Sequence, residues 1–82
     1  MNREELESRV LKTLGEIAPE ADLTAIKPNV SFRDQMDLDS MDYLNFVIAL
    51  DEDFGAEIPE SEYTKFTSLD ACVEQLQRLE VT

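Results

Sequence analysis

Hydrophobic residues recur along the first seventeen positions at helical intervals: Leu6, Val10, Leu14 and Ile17 share one stripe, with Leu11 beside it. That spacing predicts a first helix over about Asn2 to Ile17. Asn2 is placed to cap it, Glu5 stands three positions on in a capping-box arrangement, and Pro19 ends it. From Pro19 to Asp39 the periodicity vanishes. Pro28 opposes a helix through the middle of this stretch, although PEADLTAI can make a short turn. Leu23, Ile26, Val30, Phe32 and Met36 are the residues able to pin so long a connection to the helices. Connections of this length in a small domain are often functional.

A second helix is expected from Ser40 to Phe54, stopped by Gly55 as the residue just past its end. Pro59 suits the first turn of a short helix over about Pro59 to Tyr63. Thr67 or Ser68 then caps a last helix whose inner face is Leu69, Cys72, Val73, Leu76 and Leu79, which makes Cys72 a buried structural thiol. No alternating strand pattern appears. The expected fold is all-α, a small four-helix bundle with three longer helices, one short helix and a long loop between the first and second. With 82 residues the chain is expected to form a single domain over 1–82.

The second helix carries more apolar residues than one buried face requires. At about 100° per residue, Tyr43, Phe46, Val47, Leu50 and Phe54 form a wide stripe. Met41, Leu44 and Ile48 lie nearly opposite, flanked by Asn45, Asp51 and Glu52, with Asp42 farther round. Either the helix sits in the middle of the bundle with both faces covered, or the narrow strip is an exposed partner surface. An acidic rim would then steer basic partners while the apolar strip supplies contact energy.

Charge sharpens this choice. Nineteen acids against seven bases give a formal charge of −12, and the span from Asp34 to Thr64 holds ten acids with no Lys or Arg. Such a field repels nucleic acid and anionic membranes, and speeds encounter with proteins that present basic patches. The chain has no histidine and one cysteine, which excludes Cys/His metal sites, Ser-His-Asp and Cys-His catalysis, and an internal disulfide. The first ten residues, MNREELESRV, contain no apolar signal segment, and no later run approaches transmembrane length. A cytoplasmic protein without membrane insertion is expected.

The segment DLDSMD is the densest cluster of carboxylates around a nucleophile. As a calcium loop it fails on registration. With Asp37 at position 1, Met41 falls at position 5, Asp42 where glycine makes the turn, and Ile48 where a bidentate glutamate is needed. As a helix start it offers two caps, Asp39 or Ser40. If Asp39 caps, Ser40 becomes the first helical residue and its hydroxyl is free at the positive end of the helix, a favourable place for a covalently attached phosphate.

Taken together, DLDSMDYLNFVIALDEDFGAEIP resembles the signature of the acyl carrier protein family: an Asp-Ser-hydrophobic triplet opening an acidic helix that ends before EIP. The resemblance extends over nearly the whole chain, including SFRDQM upstream and TSLDACVEQL downstream. It implies that a phosphopantetheinyl transferase joins 4'-phosphopantetheine from coenzyme A to Ser40 through a phosphodiester. Asp39 would help position Mg2+ and phosphate during transfer, the metal being held mainly by the transferase. The arm's thiol would carry acyl groups as thioesters in fatty-acid, polyketide or related biosynthesis. The protein itself would be a non-catalytic, monomeric carrier, with no metal site of its own.

By the same resemblance, Met41, Asp42, Leu44, Asn45, Ile48, Asp51 and Glu52 would face partner enzymes: synthases, ligases and acyltransferases with basic patches. Phe46, Val47, Leu50, Ile58 and Tyr63 are candidates to line an acyl pocket. Three departures stand out: Asp37 where the family commonly has glycine, Tyr43 where a small residue is frequent, and Asn45 where fatty-acid carriers have an acid. They point away from housekeeping fatty-acid synthesis and toward a specialised free-standing carrier. The alternatives are a peptidyl or aminoacyl carrier, and an unmodified acidic helical adaptor.

Overall fold

The computed structural model describes residues 2–36 and 38–79. Its order is α1 (Arg3–Ile17), a 3-10 turn (Leu23–Ala25), α2 (Phe32–Gln35), α3 (Ser40–Phe54), a 3-10 helix (Glu60–Lys65) and α4 (Leu69–Arg78). Among the described residues there is no strand. This is the expected all-helical bundle with three long helices.

Each long helix begins where its cap dictates. The Asn2 side chain accepts the Glu5 amide at 2.8 Å, so Asn2 lies outside α1 and Arg3 is its first residue. Ser68, rather than Thr67, caps α4 by accepting the Ala71 amide at 3.1 Å. Gly55 ends α3 in the left-handed region, at φ 58°, and its amide returns to the Asp51 carbonyl.

α1 packs against both α3 and α4 around one core. Leu6, Val10 and Leu14 of α1, Phe46, Val47 and Leu50 of α3, and Cys72, Val73 and Leu76 of α4 have no exposed surface. Burial pushes the Cys72 thiol well above its ordinary value, and its Sγ lies 3.6 Å from the Phe66 carbonyl, which fits the structural role expected of it. Leu79 stands just beyond α4 and packs only partly against the core.

The connection after α1 is more ordered than its lost periodicity suggests. It contains α2, a single α-helical turn that the sequence pattern does not reveal. Phe32 is fully buried and meets Phe46 edge to face at 5.3 Å between ring centroids. Two backbone bonds fasten the connection to the start of α4: Phe32 N–H donates to the Thr67 carbonyl at 2.7 Å, and Asp70 N–H to the Pro28 carbonyl at 3.0 Å. Gln35 closes the loop on itself, accepting the Lys27 amide and donating to the Lys27 and Val30 carbonyls at 2.8 to 2.9 Å. These bonds join residues several positions apart, so no helical period announces them. Leu38, outside the set expected to anchor the connection, is buried as well. At the other end Leu23 lies so close to α1 that a Cβ on Gly15 would stand 3.0 Å from its side chain.

The short helix expected over Pro59 to Tyr63 is instead a 3-10 helix shifted to Glu60–Lys65, with Pro59 extended before it at φ −67° and ψ 147°. Its Tyr63 carbonyl accepts the Tyr43 hydroxyl. A tighter i to i+3 turn suits such a brief segment held from outside.

Candidate functional site

The geometry at the start of α3 follows from one residue. Asp39 is extended, at φ −84° and ψ 179°, and its Oδ1 accepts the Asp42 amide at 2.8 Å, while its carbonyl accepts the Tyr43 amide at 2.9 Å. Asp39 is therefore the cap, and Ser40 is the first helical residue. Ser40 is exposed, and among the described residues its hydroxyl makes no hydrogen bond. It stands at the end of a 15-residue helix where unpaired amides concentrate positive potential. Asp37, the first departure from the common pattern, lies outside the described residues.

The narrow apolar strip begins at the next residue after Ser40. Met41 is 64% exposed, Leu44 38% and Ile48 38%, so this face of α3 is uncovered while the opposite face is fully buried. Asn45 and Glu52 are exposed beside it, and Asp42 is half-buried. Asp51 also holds the fold together, since its Oδ1 accepts the Ile58 amide at 3.2 Å and so ties the segment after α3 back onto the helix. The strip is thus an apolar ridge edged by acids, next to an exposed nucleophilic oxygen.

The far end of α3 is fastened to α1. Thr13, only 1% exposed, has its hydroxyl 2.7 Å from an Asp53 carboxylate oxygen and 3.1 Å from the Arg9 carbonyl. Its single proton serves one acceptor at a time, and the carboxylate is the nearer and charged one. Arg9 donates to the Asp53 carbonyl at 2.9 Å and lies 4.4 Å over the Phe54 ring. This clasp holds the helix against α1. Sequence reasoning missed it, because Thr13 reads as one more polar position on α1.

The five residues expected to border an acyl pocket sit at the centre of the packing. Phe46, Val47 and Leu50 are completely buried, Ile58 is 5% exposed, and Tyr63 is half-buried against the core. A cavity of about 240 Å³ lies beside them and has other walls: Ser31, Arg33, Tyr43, Thr64 and Thr67. Tyr43 forms the partition. It is half-buried, its phenol donates to the Tyr63 carbonyl, and burial pushes the phenol up to about 12. Of the cavity residues, Tyr43 was marked by the sequence, as a bulky residue where a small one is frequent. Arg33 carried a signal too, as the last base before the acidic span.

Among the described residues, no three His, Cys, Asp or Glu side chains gather to hold a metal ion, and no helix is long and apolar enough to cross a membrane.

The sequence that builds this site is similar to those of known proteins. A family model described as a phosphopantetheine attachment site matches residues 6–76. The chain is 34% identical over 77 residues to an acyl carrier protein of Rubrobacter xylanophilus, covering 90% of each chain. It is 34% identical over 74 residues to the mitochondrial acyl carrier protein 2 of Arabidopsis thaliana, covering 90% of this chain and spanning 58% of that protein's length. An acyl carrier protein of Lactobacillus acidophilus is 34% identical over 58 residues, covering 71% of this chain and 72% of that one.

Proposed function

The chain belongs to the acyl carrier protein family, and from that premise we propose that Ser40 is the residue that carries its 4'-phosphopantetheine and that the exposed strip of α3 receives the enzymes that load and use the arm. The family is one of non-catalytic carriers with a covalent phosphopantetheine. Residues 1–82 act as one carrier unit, a monomer working in the cytoplasm.

The observation that carries this reading is the division of labour at the start of α3. Asp39 holds the helix end, which leaves the adjacent hydroxyl exposed and unengaged. A phosphate joined to Ser40 would sit among the first amides of α3, where its charge is favoured. In the transfer, the Ser40 oxygen forms its bond to phosphorus and the adenosine 3',5'-bisphosphate portion of coenzyme A departs. The serine proton passes to the transferase, which holds most of the Mg2+ coordination. Asp39, with one oxygen accepting the Asp42 amide, keeps carboxylate lone pairs that would be available to the metal during transfer.

The arm supplies a terminal thiol that holds acyl groups as thioesters. The chain's own residues orient and present it. Met41, Leu44 and Ile48 would provide apolar contact to a partner, and Asp42, Asp51 and Glu52 the field that draws in basic surfaces, with Asn45 a polar neutral position between them. Phosphopantetheinyl transferase and acyl-handling synthases, ligases or acyltransferases are the proposed partners. The departures at Tyr43 and Asn45 favour a specialised acyl pathway over bulk fatty-acid synthesis.

Incubation of the apo protein with coenzyme A, Mg2+ and a promiscuous phosphopantetheinyl transferase should add one phosphopantetheine by intact mass, and Ser40→Ala should abolish the addition. An unchanged mass of the parent protein would sink the reading and leave the acidic adaptor in its place. The mass of the group carried by protein isolated from its native cell separates an acyl cargo from an aminoacyl one.

A further inference from the structure

We infer that the Tyr43 hydroxyl is a latch that holds the 3-10 helix Glu60–Lys65 against α3, and that this segment opens as a unit between Ile58 and Phe66 while the three long helices stay folded. The inference stands independently of the group that Ser40 carries.

The segment is fixed at its ends and scarcely between them. Before it, Ile58 is 5% exposed and its amide donates to the Asp51 carboxylate at 3.2 Å. After it, Phe66 has no exposed surface, and its carbonyl lies 3.6 Å from the Cys72 Sγ. The helix between these anchors buries none of its own residues, and Tyr63 packs only partly against the core. Thr64 walls the cavity of about 240 Å³, so that part of the segment borders open space rather than close-packed side chains. Little apolar area must therefore be uncovered for the segment to lift.

Its polar contacts are mostly its own. Glu62 N–H donates to the Pro59 carbonyl at 2.9 Å, and Lys65 pairs with Glu62 at 2.7 Å. Bonds of this kind join neighbours within the segment and do not fasten it to the bundle. Among the described residues, the bond from the Tyr43 hydroxyl to the Tyr63 carbonyl is the hydrogen bond that reaches the segment from another element. Its donor stands on a fixed mount, because Phe46, Val47 and Leu50 of the same helix have no exposed surface.

The latch also has a telling position. Tyr43 follows Ser40 by three residues, which makes the two neighbours one turn apart on the surface of α3. An enzyme seated over the Ser40 hydroxyl would thus meet a segment whose middle depends on one bond.

The test is amide hydrogen exchange of the apo protein, followed by NMR at urea concentrations below the unfolding transition. The protected amides from Glu62 to Lys65 are expected to share one opening, at least about tenfold more frequent than that of Val10, Leu14 and Val73, and with a weaker dependence on urea. Tyr43→Phe keeps the ring and removes the hydroxyl. It should speed exchange from Glu62 to Lys65 by about fivefold, the factor that corresponds to one ordinary hydrogen bond. Exchange of this segment at the rate and urea dependence of Val10, Leu14 and Val73 would show that it opens only with the whole fold. Unchanged exchange in Tyr43→Phe would remove the latch. Either result overturns the inference and leaves the carrier reading untouched.

Discussion

The two faces of α3 are built from the same kinds of residue and meet opposite fates. Phe46, Val47 and Leu50 are wholly buried in the core shared with α1, α4 and the connecting segments, while Met41, Leu44 and Ile48 remain between 38% and 64% exposed. Hydrophobicity alone does not separate them. What differs is the company each face keeps: aromatic and branched side chains from three elements on one side, carboxylates on the other. A charged rim is costly to bury unpaired, so the ring of acids keeps the narrow strip at the surface as firmly as packing keeps the wide one inside.

The largest effect that could break this contrast is on stability. Phe46→Ala removes a fully buried ring and its edge contact with Phe32, and should cost about 3–5 kcal/mol in chemical denaturation. Ile48→Ala should cost less than about 1 kcal/mol. Equal losses would mean that the strip is core after all. Next comes the rim: Asp42→Lys or Glu52→Lys should slow association with a basic partner several-fold at low salt. The difference should shrink near 1 M salt, where the screening length falls to about 3 Å. Association rates that ignore both charge and salt would remove steering from the account.

The clasp sharpens the contrast along the helix axis. Thr13→Val deletes the hydroxyl between α1 and Asp53 without changing shape much, and should lower stability by about 1 kcal/mol while leaving modification of Ser40 untouched. A modification defect in that variant would show that the two ends of α3 are coupled.

The smallest expected effect is a slope with pH. Burial raises the Tyr43 phenol from 10.0 to about 12, and raises the Cys72 thiol above its ordinary 9.0. Both groups are neutral in the fold, and the unfolded chain loses its protons first. Stability from Cys72 is therefore complete below about pH 9, and that from Tyr43 complete below about pH 10, with the latter lost as pH rises through about 12. Tyr43→Phe should flatten the loss between pH 10 and 12 in denaturation midpoints, since Phe has no proton to release.

Much of this was legible in the sequence because it is local. The three long helices follow from apolar spacing and from caps within three residues: Asn2 to Glu5, Asp39 to Asp42, Ser68 to Ala71. The exposed serine followed from the same logic, since only one of two adjacent residues can hold the helix end. The two stripes of α3 separated by angle alone, although which one faced solvent required the structure. What stayed hidden depends on distant partners. The α2 turn is held by Thr67 and by its own Gln35 strap, the clasp joins positions 40 apart, and the cavity gathers Ser31 and Arg33 with Thr64 and Thr67 from across the fold. Residue types at such separations carry no period to read.

The placement of the α3 cap has a consequence for the protein's working life. Because Asp39 rather than Ser40 accepts the Asp42 amide, a group placed on the Ser40 oxygen would take no bond away from the capped helix end. Acquiring, exchanging or losing a substituent there involves no melting and re-forming of the helix. On the proposed attachment at Ser40, successive cycles would begin from the same folded starting point, and what an enzyme would sense between cycles is the burden on the arm, against a constant background.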